Sequence, residues 1–195
     1  MLRLCPGIEE LRCGDEILVP GGTRWTEFNL PKGSLVKLRH PDVCCDDVEV
    51  PSWTDNFTTL FQATPNITHL IISHVVHCEA MGATFERLTD LDLKLCDLDA
   101  NSFGTILRAC PRLERLKFLW EMADWGASRP FMPEEATRNI LEYAPNLNFL
   151  DLNMQDCAWN HLGGRIDVAR QFSEASRALT AQGIVSTFES MRLTR

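Results

Sequence analysis

The residues in this chain with the most chemistry at their disposal are histidine and cysteine, and they gather in two places. His74, His77 and Cys78 fall in one short run, and Cys44-Cys45 forms a second pair of donors. A zinc site needs three or four such side chains around one ion, usually as pairs at short, recognisable spacing. The chain contains no C-x-x-C pair, so no metal centre is expected. A cysteine–histidine hydrolase asks less of the sequence, because nucleophile and base need only meet in space. Nothing marks a nucleophile, however: there is no Gly-x-Ser-x-Gly turn and no Gly-rich phosphate loop, and Gly163-Gly164 alone signals only a turn. No catalytic residue, metal ligand or cofactor is assigned.

The remaining cysteines are explained by position. Eight occur, at 5, 13, 44, 45, 78, 96, 110 and 157. Disulfide staples suit small secreted domains with little core, whereas this chain of 195 residues is 45% hydrophobic. Cys5 and Cys110 each directly precede a proline, and Cys13, Cys96 and Cys157 lie in or just after expected strands. Buried free cysteine behaves as a small apolar residue. Asn56-Phe57-Thr58 and Asn66-Ile67-Thr68 match the glycosylation pattern, but a glycan on Asn66 would have to leave a tight corner, and both are read as chance matches.

The elements that position these residues repeat. LRLCPGIEEL at 2–11 and LRACPRLERL at 107–116 share the skeleton L-R-x-C-P-x-[I/L]-E-x-L. The wider pattern L-x-x-L-x-apolar recurs at Ile8/Leu11/Cys13, Leu35/Leu38, Ile67/Leu70/Ile72, Leu88/Leu91/Leu93, Leu113/Leu116/Phe118 and Leu147/Leu150/Leu152. First anchors are separated by 27, 32, 21, 25 and 34 residues, with Pro6, Pro65, Pro111 and Pro145 each two positions ahead of one. The second copy is the weakest, with His40 at the third anchor. Self-similarity at such periods marks stacked repeats.

Within a copy, proline stops a helix and a strand follows, with alternate residues on opposite faces. Between copies the period shifts to that of a helix. At 99–110, Phe103, Ile106, Leu107 and Cys110 share one face and Asp99 or Asn101 caps the start. At 133–144, Pro133 opens the helix, Glu134 and Glu135 favour its positive end, and Ile140, Leu141 and Ala144 turn inward. A less regular helix is expected at 54–63. Units this small bury their apolar faces only by stacking on their neighbours, which gives an arc with strands on its inner side.

LDLKLCDLDANSFGTILRACPRLERLKF at 91–118 resembles the leucine-rich repeat family, and within it the cysteine-containing repeats of F-box/leucine-rich-repeat proteins, common in fungi. The resemblance covers roughly 2–157 and is weakest at 14–53. It implies an α/β fold: a leucine-rich-repeat solenoid curved into an arc, parallel strands on the concave side, helices and loops on the convex side. About six repeats are expected over 1–160, irregular at 14–53. A C-terminal capping helix at 165–182, with Ile166, Ala169, Phe172, Ala175 and Leu179 on one side, and a tail complete 161–195.

Alternation nominates the open strand face as a partner-binding surface: Glu10 and Arg12; Lys37 and Arg39; His69, Ile71 and Ser73; Asp90, Asp92 and Lys94; Arg115 and Lys117; Phe149, Asp151 and Asn153. The excursion LWEMADWGASRPFMP at 119–133 adds Trp120, Trp125 and Phe131. Exposed, these aromatics would be binding anchors; folded down, they would form a satellite core.

Net charge −8 and pI near 5.1 argue against nucleic acid as a general partner. No apolar run is long enough to span a membrane and no secretory signal opens the chain, so an intracellular location, cytoplasm or nucleus, is expected. The expected function is a non-catalytic protein-interaction module. What the resemblance implies beyond that is the substrate-recognition part of an F-box-type ubiquitin-ligase subunit. The F-box is not recognisable in these residues, so a ligase adaptor is a partner only where one precedes residue 1. Because residues 2–5 read as the tail of a repeat, the chain is expected to be a fragment, a truncated gene product or a degenerate family member. The competing functions are a scaffold or regulatory repeat protein with no ligase link and a thiol-dependent enzyme.

Overall fold

The computed structural model describes residues 7–12, 33–44, 61–73, 85–96, 98–120, 133–154 and 165–189. Seven strands, β1 (Glu10–Arg12), β2 (His40–Cys44), β3 (His69–Ser73), β4 (Asp90–Cys96), β5 (Arg115–Trp120), β6 (Phe149–Met154) and β7 (Val185–Glu189), form one sheet in chain order. Every pairing is parallel. Three helices lie between the later strands: α1 (Ala100–Ala109), α2 (Pro133–Tyr143) and α3 (Arg165–Ala181). Among the described residues no helix is long and apolar enough to cross a membrane.

Sequential order in a parallel sheet has a geometric consequence. Each connection steps one strand in the same direction, and crossovers of one hand then all fall on the same face. Accordingly α2 packs beside α1 and α3 beside α2. One core joins the inward strand residues Leu70, Ile72, Leu91, Leu93, Leu116, Phe118, Leu150 and Leu152 to Phe103, Ile106, Leu107, Ala136, Ile140 and Leu179. Phe103 of α1 stacks on Phe118 of β5 (centroids 5.3 Å apart, 17° between planes), and Phe61 meets Phe85 edge to face at 4.6 Å. Burial at β3 alternates residue by residue, with Leu70 and Ile72 inside and their neighbours half-buried.

Local chemistry sets the ends of these elements. Asp99 has extended backbone and its carboxylate accepts from the Ser102 N–H at 2.7 Å, so it caps α1. α1 and α2 approach closely at Gly104, where a Cβ would lie 3.3 Å from Asn139 Oδ1, and the Asn139 amide donates across the gap to Ala100 O at 2.7 Å. α3 closes with Gly183 at φ +78°; the Ile184 N–H reaches Leu179 O and the Gly183 N–H reaches Thr180 O. That pair of bonds needs a left-handed residue, which glycine adopts without a Cβ clash.

Before the strands runs a recurring turn, closed by bonds from Leu38 N–H to Leu35 O, Leu88 to Phe85, Leu113 to Cys110 and Leu147 to Ala144. Pro111 and Pro145 stand second in theirs, where a fixed φ suits the turn and no donor is needed. A second recurring device locks each copy to its neighbour. The carbonyls of Glu9, Arg39, Thr68, Thr89 and Glu114 each accept from two successive N–H groups of the next copy, and Asn148 O accepts from Val185 N–H. Equivalent residues are thereby held in line across the sheet.

That ladder corrects the second copy. Its first anchor is Leu38, equivalent to Ile8 and Ile67, and Leu35 belongs to the preceding turn. The stretch LRHPDV is thus the true frame, with Pro41 at the second anchor and buried. Lys37 and Arg39 accordingly do not lie in a strand: Lys37 is in the turn, Arg39 directly precedes β2, and His40 and Asp42 stand in register with Glu10 and Ile71. Pro41 has no N–H to donate, and the ladder between β2 and β3 begins only at Asp42. Residues 161–195, expected to form a capping helix and tail, supply α3 and a further strand, and Leu179 and Ile184 join the common core.

Candidate functional site

The register sets the residues of the sheet in rows. The first row reads Glu10, His40, His69, Asp90, Arg115, Phe149, Val185. The second reads Arg12, Asp42, Ile71, Asp92, Lys117, Asp151, Thr187. A third holds Cys44, Ser73, Lys94, Leu119 and Asn153. The nominated residues of β1 and of β3 to β6 are therefore brought together, and those of the second copy are not. Trp120, expected in the loop, is the last residue of β5 and pairs with Met154. Trp125 and Phe131 lie outside the described residues.

In the first row the side chains touch in sequence. The rings of His40 and His69 are 4.4 Å apart at a tilt of 39°. His69 Nε2 lies 3.3 Å from Asp90 Oδ2, and Asp90 Oδ1 accepts from Arg115 Nε at 3.2 Å. The Arg115 guanidinium then stacks over the Phe149 ring at 4.6 Å, a favourable cation–π arrangement. Five neighbouring strands are linked by one chain of imidazole, carboxylate, guanidinium and aromatic groups. Below it lies a shallow depression of about 450 Å³ lined by residues of β1 to β5, including Glu10, Ile71, Asp92 and Lys117.

Thr68 Oγ1, His69 and Asp90 follow the hydroxyl–imidazole–carboxylate order of a nucleophilic triad, with 3.0 Å from the hydroxyl to His69 Nδ1. Asp90 is committed elsewhere, because its oxygens also take the Arg115 guanidinium and the Thr89 hydroxyl at 2.8 Å. A carboxylate neutralised by arginine orients its neighbours but does little to strengthen a base.

Other sequence candidates have different fates. His74, His77, Cys78, Cys45 and Asn56 lie outside the described residues, and among the described residues no cluster of histidine, cysteine and carboxylate is suited to a metal. The Asn66 amide nitrogen, where a glycan would attach, donates to Val36 O at 2.8 Å, while its Oδ1 accepts from Arg87 at 2.7 Å. Arg39 donates to Asn66 O at 3.3 Å, so it serves the turns. Cys110 is fully buried, and burial pushes its thiol up to about 12. Since the thiolate is the nucleophile, iodoacetamide at pH 8 should leave Cys110 unmodified in the native protein and label it in denaturant. Peptide mass spectrometry reads the difference; native labelling at the rate of a free thiol would contradict the burial.

Within the linked chain of side chains from His40 to Phe149, His40 is the member that the sequence did not nominate. In the frame beginning at Leu35 it stands as a failed anchor, and only the frame Leu38-x-x-Pro41-x-Val43 turns it outward. No family model matches the chain, and no curated protein matches it.

Proposed function

We propose that the chain is a non-catalytic protein-interaction module of the leucine-rich-repeat type, an arc whose strands line the inner side and dock a protein partner. The observation that carries this reading is the row from His40 to Phe149 on a parallel sheet that no described helix covers on that face. Parallel sheets ordinarily bury both faces under helices and carry apolar residues on each. Here one face holds Asp90, Asp92, Lys94, Arg115 and Lys117 beside Ile71 and Phe149, a mixture suited to a protein surface. Mixed signs give such a face specificity and suppress wrong partners. The resemblance to F-box/leucine-rich-repeat proteins extends the proposal to the substrate-recognition part of a ubiquitin-ligase subunit.

Placement of a photo-crosslinking amino acid tests the docking reading. Installed at Lys117 on the open face, it should capture a discrete partner from native extract. Installed at Arg138, an exposed position on α2, it should not. Equal capture at both positions, or none at Lys117, would sink the proposal.

A further inference from the structure

We infer that the edge of the sheet where the strands begin is a docking site separate from the open face, for an extended peptide with one acidic side chain between two basic ones. A depression of about 880 Å³ crosses the turns of four successive copies there. No apolar side chain lines it; Glu86, Arg87, Arg112, Glu114, Asn146 and Asn148 do, together with two threonines. The threonines belong to the sheet: the Thr89 hydroxyl donates to Thr68 O and Asp90, and that of Thr68 meets His69. The position directly before the anchor leucine or isoleucine is Asn66, Arg87, Arg112 and Asn146 in turn. Where it is asparagine, its amide ties the turn to the preceding copy, Asn66 donating to Val36 O at 2.8 Å and Asn146 to Pro111 O at 2.9 Å. The two copies between them lack that tie. Arg87 gives one N–H to Asn66 Oδ1 at 2.7 Å, and the Arg112 side chain enters no hydrogen bond or ion pair among the described residues. The same holds for the carboxylates of Glu86 and Glu114. Two guanidiniums and two carboxylates thus line one depression without pairing with each other.

Arg87 and Arg112 hold the same position in adjacent copies, which stand about 4.8 Å apart at the strands. Two guanidiniums at that separation suit the two oxygens of one carboxylate. Glu86 adjoins Arg87 and Glu114 lies two residues beyond Arg112, so a bare anion meets repulsion along with its attraction. An acid flanked by basic groups satisfies all four charges. Length selects an extended chain: four copies span three strand spacings, about 14 Å, and five extended residues cover nearly the same distance from first to last. The first, third and fifth of them point the same way. The side-chain amide of Asn148, which makes no hydrogen bond among the described residues, and the side-chain oxygen of Asn146 remain for the peptide backbone. The ligand therefore carries basic, acidic and basic side chains at alternate residues, and because that pattern is symmetric it serves in either chain direction.

The probe is a fluorescent peptide, Lys-Ser-Glu-Ser-Lys, compared with versions carrying Gln for Glu or Gln for both Lys. Anisotropy with the full chain at low salt should show the parent binding about five-fold tighter than either neutralised version, the margin shrinking as salt screens the pairs. Arg112→Gln should remove the parent's advantage over the version lacking the acid. Its melting temperature should stay at the wild-type value, since no hydrogen bond or ion pair among the described residues is lost. Arg112→Glu should make Lys-Ser-Lys-Ser-Lys the tightest ligand. Lys117→Gln, on the open face, should change none of these affinities. Equal affinities for all the peptides, no binding by any, or a loss in Lys117→Gln as large as that in Arg112→Gln would each overturn the inference. Displacement of the parent by acetate at the peptide's own concentration would overturn it too, because a plain anion site would then suffice.

Discussion

Phe118→Ala should destabilise the protein by about 3–5 kcal/mol, whereas Lys117→Ala, one residue earlier on the same strand, should change stability by no more than about 0.5 kcal/mol. Phe118 is 1% exposed and stacks on Phe103, so truncation removes its burial, leaves a cavity against α1 and breaks an aromatic pair. Lys117 faces the other way and is exposed. For a chain of this size each kcal/mol shifts the melting temperature by roughly 2–4 °C, so the first variant should melt roughly 6–20 °C lower. Urea unfolding of the two variants side by side measures the contrast. Comparable losses at both positions would mean that the two faces of β5 are equally structural, and the open face would lose its claim to function.

The alternation behind that contrast was legible in the sequence, because at β3 to β6 three apolar anchors spaced 3 and 2 apart fit one frame only. Caps were legible for the same reason: Asp99 has a hydrogen-bonding carboxylate at the start of an amphipathic run, and Pro133 with two glutamates marks the start of α2. The second copy was not legible. LVKLRHPDV offers two overlapping leucine frames, and a proline at an anchor argues against a strand because it cannot donate to a ladder. Only the carbonyl of Glu9 accepting from Arg39 and His40 selects the frame, and that is a contact between copies that no local pattern contains. With the frame shifted, Lys37 and Arg39 were nominated and His40 was missed.

The same inter-copy ladder explains why a face made of unrelated side chains can work as one surface. Each carbonyl that takes two N–H groups of the next copy fixes equivalent residues at the same height. Rows then arise whatever the copies' lengths, even though the spacing between first anchors varies from 21 to 34 residues. Connection length is free to differ because loop closure costs grow slowly with length. Register, by contrast, cannot slip by one residue without turning leucines outward. Sequence variation is consequently tolerated between strands and on their outward positions.

Asp90→Ala should weaken the partner captured at Lys117 about ten-fold or more while lowering stability by less than about 1 kcal/mol. Asp90 is the shared acceptor of the first row: its loss frees His69 on one side and Arg115 on the other, and Arg115 in turn is the group held over Phe149. None of these pairs is deeply buried; the Arg115 side chain is 52% exposed. Exposed ion pairs contribute little to folding because water screens them and ordering two side chains costs entropy. Preset side chains do matter to binding, where the cost of ordering them falls on affinity. Asp90→Asn, which keeps the size and one acceptor but not the charge, should fall between wild type and alanine. Affinity measured against the captured partner, together with thermal melts of the same three proteins, separates the roles. A large fall in melting temperature with unchanged affinity would make the row a brace for the sheet, and a fall in affinity at nearly constant stability makes it the surface on which the partner is recognised.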